Sequence, residues 1–215
     1  MNIVIIGKNE GASVDNMLAS LIDLNCKRIW IADRCTDGTV KKLKSLKEFY
    51  VKTSPFLIGR QTSYCRNLGL SFCDKGENVL FLDGDRYIKH GSIKNLESCK
   101  SDIVLLLLEN DNREYMDFQS AYGDIHNGFY SCGVYFKNSA ITKILDFQKG
   151  ELFSSKMQKH WGIEDTYLGD VCYHLGLTCE IFTECRLSGS FDSKTVGMEN
   201  IEKRLIARQK LNIKW

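Results

Sequence analysis

The stretch VLFLDGD, residues Val79–Asp85, decides the fold of this 215-residue chain. Four consecutive apolar residues are typical of a short strand that is buried on both faces. The strand ends at Gly84, so Asp83 and Asp85 emerge together at its carboxyl end, the edge at which open α/β sheets bind ligands. Two carboxylates this close repel each other, and Mg²⁺ or Mn²⁺ would hold both in the charged state. A simple polar turn is the alternative, because Asp and Gly are common turn residues.

Composition narrows the class of protein. A length of 215 residues suits one domain, and 43% hydrophobic with 26% charged residues is ordinary for a soluble globular protein. The net charge of +2 is too small to favour a nucleic-acid or membrane partner. The sequence predicts no signal peptide, and the apolar run Ile103–Leu108 is too short to span a bilayer, so we expect no integral membrane segment.

The nine cysteines give a prediction of compartment. Their number is odd and no two form a C-x-x-C pair, which argues against a zinc ribbon or a disulfide scaffold. Reduced thiols in a cytoplasmic protein are therefore the expected state.

Strand and helix patterns alternate along the first 85 residues. Each predicted strand is a short apolar run, and the segment after it carries apolar residues at helical spacing. This alternation predicts an α/β fold, with a mostly parallel central sheet flanked by helices in a single domain. The predicted strands are Ile3–Ile6, Arg28–Ala32, Phe49–Val51 and the Val79 strand, and the predicted helices are Val14–Ile22, Val40–Leu46 and Arg60–Cys73.

After Asp85 the pattern becomes less regular. We predict one domain that covers residues 1–197, with two halves at 1–90 and 91–186. The second half contains predicted strands at Ile103–Leu108, Ser131–Phe136 and Cys179–Phe182, with helices at Ser139–Leu145 and His160–Leu175. Small and polar residues predict a loop, and a possible lid, at 187–197. Residues 198–215 are expected to form a basic amphipathic helix.

Four motifs, in order, resemble those of the GT-A nucleotide-sugar glycosyltransferases, and family 2 is the most similar. They are Asn9-Glu10 after the first strand, Asp33–Thr39 after the second, Arg66–Leu70 followed by Val79–Asp85, and Trp161–Asp165. The resemblance covers roughly residues 2 to 176. Two positions depart from the family pattern, since Gly7 replaces the usual proline and Ala32 replaces the first of two acidic residues.

The resemblance implies that residues 1–90 are a nucleotide-binding half, the donor half, with a site for a UDP-sugar. It implies that residues 91–186 are an acceptor-binding half. Asn9 and Glu10 would contact the nucleotide, and Asp33 would accept a hydrogen bond from the uracil ring or the ribose, unless it only caps the next helix. Asp83 and Asp85 would bind Mn²⁺ or Mg²⁺, with Asp83 also reaching the ribose.

Arg66 and Trp161 complete the implied donor site. Arg66 would contact the diphosphate or brace the base pocket, although an exposed helix arginine is an alternative. Trp161 would line the sugar or acceptor pocket, or else belong to the core.

The acceptor side depends on Glu164 and Asp165. By resemblance Asp165 is the general base that takes the proton of the attacking hydroxyl, and Glu164 orients the acceptor. Alternatively, both are first-turn acids that complement a helix dipole. The third metal ligand is not evident from the sequence, since none of His90, His126, His160 and His174 lies in the corresponding place and Asp192 is the acidic alternative.

These expectations describe a metal-dependent glycosyltransferase of the hexosyltransferase type, which transfers a sugar to an acceptor hydroxyl with inversion. The acceptor could be a glycan, a protein, a small molecule or a modified nucleic acid, and the aromatic segment 110–130 is expected to shape its site. A nucleotidyltransferase of related fold is an alternative, although Gly7–Gly11 is a poor version of its glycine-rich basic loop. A non-catalytic sugar- or nucleotide-binding module is another.

Overall fold

The computed structural model describes residues 1–55, 61–109, 131–157 and 163–188. In this part of the chain eight strands form one sheet, and five α-helices and one short 3₁₀ helix accompany them. The strands are β1 (Asn2–Gly7), β2 (Lys27–Ala32), β3 (Tyr50–Thr53), β4 (Val79–Asp83), β5 (Ile88–Gly91), β6 (Ile103–Leu108), β7 (Gly133–Phe136) and β8 (Cys179–Leu187). The helices are α1 (Val14–Leu21), α2 (Thr39–Leu46), α3 (Thr62–Ser71), α4 (Asn138–Phe147) and α5 (Ile163–His174), with the 3₁₀ turn at Leu96–Ser98.

The sheet is mostly parallel, as predicted. Its strand order is β3-β2-β1-β4-β7-β6-β8-β5. Strands β1 to β4 all pair in parallel, and β6 pairs in parallel with β8. Strands β7 and β5 run the opposite way, since every pairing they make is antiparallel. The predicted single α/β domain is therefore confirmed.

Both faces of the sheet are buried. In β1 the side chains of Val4 and Ile6 belong to one hydrophobic core, and those of Ile3 and Ile5 belong to the other. This alternation follows from the two-residue period of a strand. Helix α3 packs so closely on the first face that a Cβ on Gly69 would lie 2.3 Å from Val4 Cγ1.

Three features differ from the sequence-based expectation. Strand β5 was not predicted. Strand β8 runs to Leu187 instead of ending at Phe182, so Leu187 is a buried strand residue and not the start of a loop. The chain after it stays attached to the sheet at Ser188, whose amide donates to the Tyr87 carbonyl at 2.8 Å. Finally, β7 lies between β4 and β6 and is antiparallel to both.

Several predictions lie outside the described residues. These are the aromatic segment 110–130, Trp161, His126, His160, Asp192, the rest of the predicted lid at 189–197 and the helix at 198–215. Within the described part of the chain, no helix has the length and apolar character that crossing a membrane requires. All nine cysteines are free thiols.

Candidate active site

A pocket opens at the carboxyl edge of the parallel strands. The ends of β1, β2 and β4 meet there, because neighbouring parallel strands finish at the same edge, and the first turn of α3 closes one side. This is the edge at which ligands bind in open α/β sheets. The lining residues are Ile6, Gly7, Lys8, Glu10, Asp33, Thr62, Cys65, Asp83, Gly84 and Asp85.

Two glycines and a tryptophan form a tight contact beside the pocket. Gly7 ends β1 and Gly84 follows β4, so their backbones lie side by side over the buried ring of Trp30. A Cβ on Gly84 would lie 2.9 Å from Trp30 Cζ2 and 3.2 Å from Gly7 Cα. A Cβ on Gly7 would lie 2.9 Å from Glu10 Cγ. A side chain at either position would force neighbouring atoms to move, because these distances are below 3.0 Å.

Three carboxylates of the pocket repel one another. Burial raises the pKa of Asp85, and the charge of Asp83 raises it further, against the opposing charge of Arg86. Burial likewise raises the pKa of Glu10, with further contributions from Asp85 and Asp83. The charge of Arg86 offsets this repulsion only in part, so the cluster fits a cation, and oxygen ligands suit Mg²⁺ or Mn²⁺. No group of three or more His, Cys, Asp or Glu side chains in the described residues is arranged to hold a metal alone. Mg²⁺ commonly takes only one or two carboxylates from a protein, together with substrate phosphates.

Asp33 faces the same pocket but already has partners. Its carboxylate accepts two hydrogen bonds from the Arg34 guanidinium, both at 2.8 Å, and one from Ser54 Oγ at 2.8 Å. Burial raises the pKa of Asp33, but these hydrogen bonds outweigh it and hold the pKa below the usual value. The helix-capping alternative does not apply, because Asp37 Oδ1 is the acceptor of the Thr39 amide at the start of α2.

Asn9 connects two loops at the pocket edge. Its Oδ1 accepts from the Thr36 amide at 2.8 Å, and its Nδ2 donates to Thr36 Oγ1 at 3.2 Å. The residue has a positive φ of 60°, in the left-handed region that Asn tolerates better than most residues. The amide side chain is thus engaged in holding the β1 loop against the β2 turn.

Arg66 is buried, which excludes the exposed-arginine alternative. Only 3% of its surface is accessible. Its Nη2 donates to Asp83 Oδ1 at 2.7 Å, and its Nη1 lies 3.8 Å from Asp165 Oδ1. The guanidinium therefore joins two carboxylates that are 82 residues apart in sequence.

Glu164 and Asp165 lie in the first turn of α5, as predicted. Glu164 is buried, and its Oε1 accepts from Thr62 Oγ1 at 3.0 Å. Burial, and next the charge of Asp165, raise the pKa of Glu164 to about 7. Burial also raises the pKa of Asp165, although Arg66 and a hydrogen bond from Ser131 oppose this.

The described histidines lie away from the pocket lining. His90 is exposed on β5, 3.5 Å from Glu109. His174 ends α5, where its ring packs against Phe147 with 5.1 Å between centroids.

Four residues of the site were not identified from the sequence: Thr62, Ser131, Ser54 and Arg86. Ser131 reaches Asp165 because β7 is antiparallel to β4 and begins beside Leu82, so the residues before β7 lie at the pocket edge. Arg86 Nε lies 3.6 Å from Asp85, and its Nη1 donates to the Ser188 carbonyl at 3.2 Å. Small hydroxyl residues and lone arginines carry no pattern of their own, so only the tertiary structure shows these roles.

Comparison with solved structures identifies the fold. The chain superposes on S. aureus TarS 1-349 with a TM-score of 0.67 at 19% identity, covering 100% of this chain and 67% of that one, and it spans 40% of the longer TarS chain. The complex of TarS 1-349 with UDP-GlcNAc gives a TM-score of 0.66 at 17% identity, with 100% and 68% coverage.

Two further structures are similar at lower identity. Glucosyl-3-phosphoglycerate synthase from Mycobacterium tuberculosis, in complex with Mn²⁺, UDP and phosphoglyceric acid, gives a TM-score of 0.61 at 12% identity, with 100% of this chain and 80% of that one covered. The inositol-1-phosphate CTP transferase from T. maritima gives a TM-score of 0.54 at 11% identity, with 97% of each chain covered.

The chain has the GT-A fold, as its motifs predicted. Identities this low establish the fold and leave the activity to the site itself. No protein-family model matches the sequence. A search of curated proteins also gives no match.

Proposed function

We propose that this protein is a glycosyltransferase similar to family 2, which transfers a sugar from a UDP-sugar to an acceptor hydroxyl. The observation that carries the proposal is the arrangement of carboxylates around one pocket at the carboxyl edge of a GT-A sheet. Glu10, Asp83 and Asp85 repel one another on the donor side, and Arg66 connects them to Asp165 on the acceptor side. A donor with a diphosphate and its cation suits the first group, and a hydroxyl that must lose a proton suits the second.

On the donor side, the nucleotide would lie between the β1 loop and the β2 turn. Asp33 lines this part of the pocket, and Asn9 holds the two segments together. Two structures of the same fold contain UDP-GlcNAc in one case and UDP with Mn²⁺ in the other, which supports UDP as the nucleotide.

The repelling carboxylates fit a divalent cation. Asp83 and Asp85 would hold Mn²⁺ or Mg²⁺, and the bound ion supplies Lewis-acid stabilisation of the charge that develops on the leaving diphosphate. Arg86 lies against Asp85 and contributes a positive charge to the same edge.

On the acceptor side, Asp165 would accept the proton of the attacking hydroxyl. Arg66 and Ser131 both contact this carboxylate and so fix its orientation and favour its charged form. A base opposite the donor favours direct displacement with inversion. Glu164, held by Thr62, would orient the acceptor.

A nucleotidyltransferase is the second candidate, because the T. maritima CTP transferase covers 97% of this chain. Its reaction releases pyrophosphate, whereas glycosyl transfer releases UDP.

The free thiols fit the cytoplasmic location that we also propose.

A donor screen tests the proposed function. Calorimetry with Mn²⁺ should show saturable binding of one UDP-sugar, and the preferred donor is then incubated alone and with pools of glycan, protein and small-molecule acceptors. Acceptor-dependent release of UDP supports the proposal. Release of pyrophosphate from a nucleoside triphosphate would favour the second candidate, and donor binding without release under any condition would indicate a binding module.

A further inference from the structure

The guanidinium of Arg66 lies between a donor-side carboxylate and an acceptor-side carboxylate. We propose that Arg66 is a positioning residue, which links the donor-side carboxylate Asp83 to the acceptor-side carboxylate Asp165 through one shared positive charge. A change of charge at Asp83 then changes how strongly Arg66 stabilises the charged form of Asp165, although the two carboxylates belong to different elements.

The geometry favours sharing over a simple ion pair. Nη2 donates to Asp83 at 2.7 Å and Nη1 faces Asp165 at 3.8 Å, so the two terminal nitrogens serve different carboxylates. The planar fork of arginine allows this, whereas a lysine offers one point charge. Arg66 Nε is buried and has no hydrogen-bond partner in the described residues. The two terminal nitrogens thus face carboxylates, and the Nε–H of the guanidinium has no partner among these residues.

The helix that carries Arg66 is rigidly attached. Asn67 Oδ1 accepts from the Leu152 and Phe153 amides at 3.1 and 3.0 Å, and its Nδ2 donates to the Phe153 carbonyl at 2.7 Å. The Phe153 ring lies below the guanidinium, 5.3 Å from its central carbon. Gly69 allows α3 to approach β1 closely. Arg66 therefore has little freedom to follow one carboxylate and leave the other.

Among the residues that the structure describes, Arg66 is the main source of positive charge near Asp165. Burial raises the pKa of Asp165, Arg66 lowers it, and the charge of Asp83 raises it again. The described groups that act on Asp165 are Arg66 on α3, Asp83 at the end of β4, Ser131 and Cys132 before β7, and Glu164 on its own helix. Removing the guanidinium and removing the Asp83 charge should thus move the pKa of Asp165 in opposite directions.

That opposition can be measured without any substrate. Aspartate labelled at Cγ with ¹³C is titrated by NMR in the apo protein, and the Asp165 resonance is assigned by its absence from D165N. We expect R66Q to raise the pKa of Asp165 by about one unit, a tenfold change in proton affinity. We expect D83N to lower it, and R66K to give a value between those of R66Q and the wild type. If R66Q does not fold, the D83N and R66K titrations still test the link.

Arg28 provides a matched control. It is also a buried arginine, but its Nη2 donates to the backbone carbonyls of Leu21 and Leu24. R28Q should lower the melting temperature and leave the Asp165 titration unchanged. A titration that D83N and R66K also leave unchanged would overturn the proposal and reduce Arg66 to a structural residue.

Calling Asp165 a base rests on the proposed function, but the charge link does not. If the NMR shifts appear and no sugar transfer is found, the link stands and the function fails. If transfer is found, the acidic limb of its pH profile should move to higher pH in R66K than in the wild type. A limb that stays in place while the NMR shifts appear would contradict a role for the link in catalysis.

Discussion

The proposed donor half, residues 1–90, and the proposed acceptor half, residues 91–186, hold their carboxylates in opposite environments. At the end of β4, the Asp83 and Asp85 side chains are 33% and 51% exposed, next to a pocket open to solvent. At the start of α5, Glu164 is 4% exposed and its pKa rises to about 7. The donor half thus presents charge to a ligand, whereas the acceptor half keeps a proton near neutrality.

The difference shows which physical effect dominates in each half. A helix N-terminus stabilises a carboxylate by about 0.3–1 kcal/mol, and by ~2 kcal/mol in favourable cases. Raising a glutamate pKa from 4.5 to about 7 corresponds to about 3 kcal/mol in the other direction. Burial therefore outweighs the dipole at Glu164, and the simple interpretation of first-turn acids does not account for this pair.

Replacing Asp165 by Asn should have the largest effect, because it should lower the rate of transfer much more than the affinity for the donor. The amide cannot accept a proton, so transfer should fall by roughly 10²–10⁴-fold, the range for loss of a general base. Donor affinity should change far less than the rate, because Asp165 reaches the donor side only indirectly, through Arg66. Initial rates of acceptor-dependent UDP release and calorimetry with UDP measure the two quantities. The control is D146N, because Asp146 is an exposed residue on α4. Loss of donor affinity in D165N would place Asp165 on the donor side.

Replacing Asp85 by Asn should instead weaken the binding of the cation and the donor. Loss of one of two carboxylate ligands should weaken Mn²⁺-dependent UDP binding by at least the roughly 10–100-fold that a supporting residue commonly contributes. Calorimetry with and without EDTA checks this, with D74N as the control because Asp74 precedes β4 and pairs with Lys27. Equal UDP affinity in EDTA and in Mn²⁺ would show that the wild-type site needs no cation.

Replacing Gly69 by Ala should weaken the packing that places Arg66 between the halves. The new Cβ would lie 2.3 Å from Val4 Cγ1 in a filled core, and overpacking of this kind costs about 1–3 kcal/mol of unfolding free energy. Urea denaturation measures the cost. In G38A the added Cβ meets nothing within 4 Å, and only the N-cap preference of α2 is affected, so the change should stay below about 1 kcal/mol. Equal stability of the two variants would mean that α3 is packed less tightly than described.

The buried proton of Glu164 should make stability depend on pH. Its folded pKa of about 7 exceeds the reference value of 4.5, so between these values the folded protein keeps a proton that the unfolded chain has lost. Stability should therefore fall as the pH rises through this window. E164Q removes the effect and should be more stable than the wild type at pH 8, on the order of 1–2 kcal/mol, and similar to it at pH 4.5. Denaturation at both pH values is the measurement, and E48Q is an exposed control. An E164Q advantage that is equal at both pH values would assign the effect to packing.

The parallel part of the sheet could be predicted from sequence because its signals are local. Strands β1, β2 and β4 are continuous apolar runs, and burial on both faces explains why they do not alternate. The Asp83 and Asp85 placement follows from the strand end. The start of α5 follows from the Glu164-Asp165 motif. These features need no knowledge of distant contacts.

The rest depends on contacts far apart in sequence. Strand β5 has only one buried residue, Ile88, so its own sequence gives little indication of a strand, and it forms by pairing with β8. The antiparallel course of β7 depends on which neighbours it joins. An arginine in a helix is usually exposed, and the burial of Arg66 becomes explicable only when Asp83 and Asp165 are known to meet there. The Asp33–Arg34 pair is the exception, because the two residues are adjacent and their contact accompanies a positive φ of 48° at Arg34 that the sequence does not indicate.

The contact of Gly7 and Gly84 over Trp30 has a consequence for how this pocket can evolve. A side chain at Gly84 would meet Trp30 and Gly7, and one at Gly7 would meet Glu10 and Trp30. A substitution at either glycine therefore gives a clash, and a smaller residue at position 30 alone leaves a void. We therefore expect the three positions to change together in evolution, although they lie on three different strands or strand ends. Among relatives of this chain, alanine or serine at position 84 should occur together with a smaller residue at position 30. The floor of the pocket would then change in one concerted step, while the carboxylates around it remain in place.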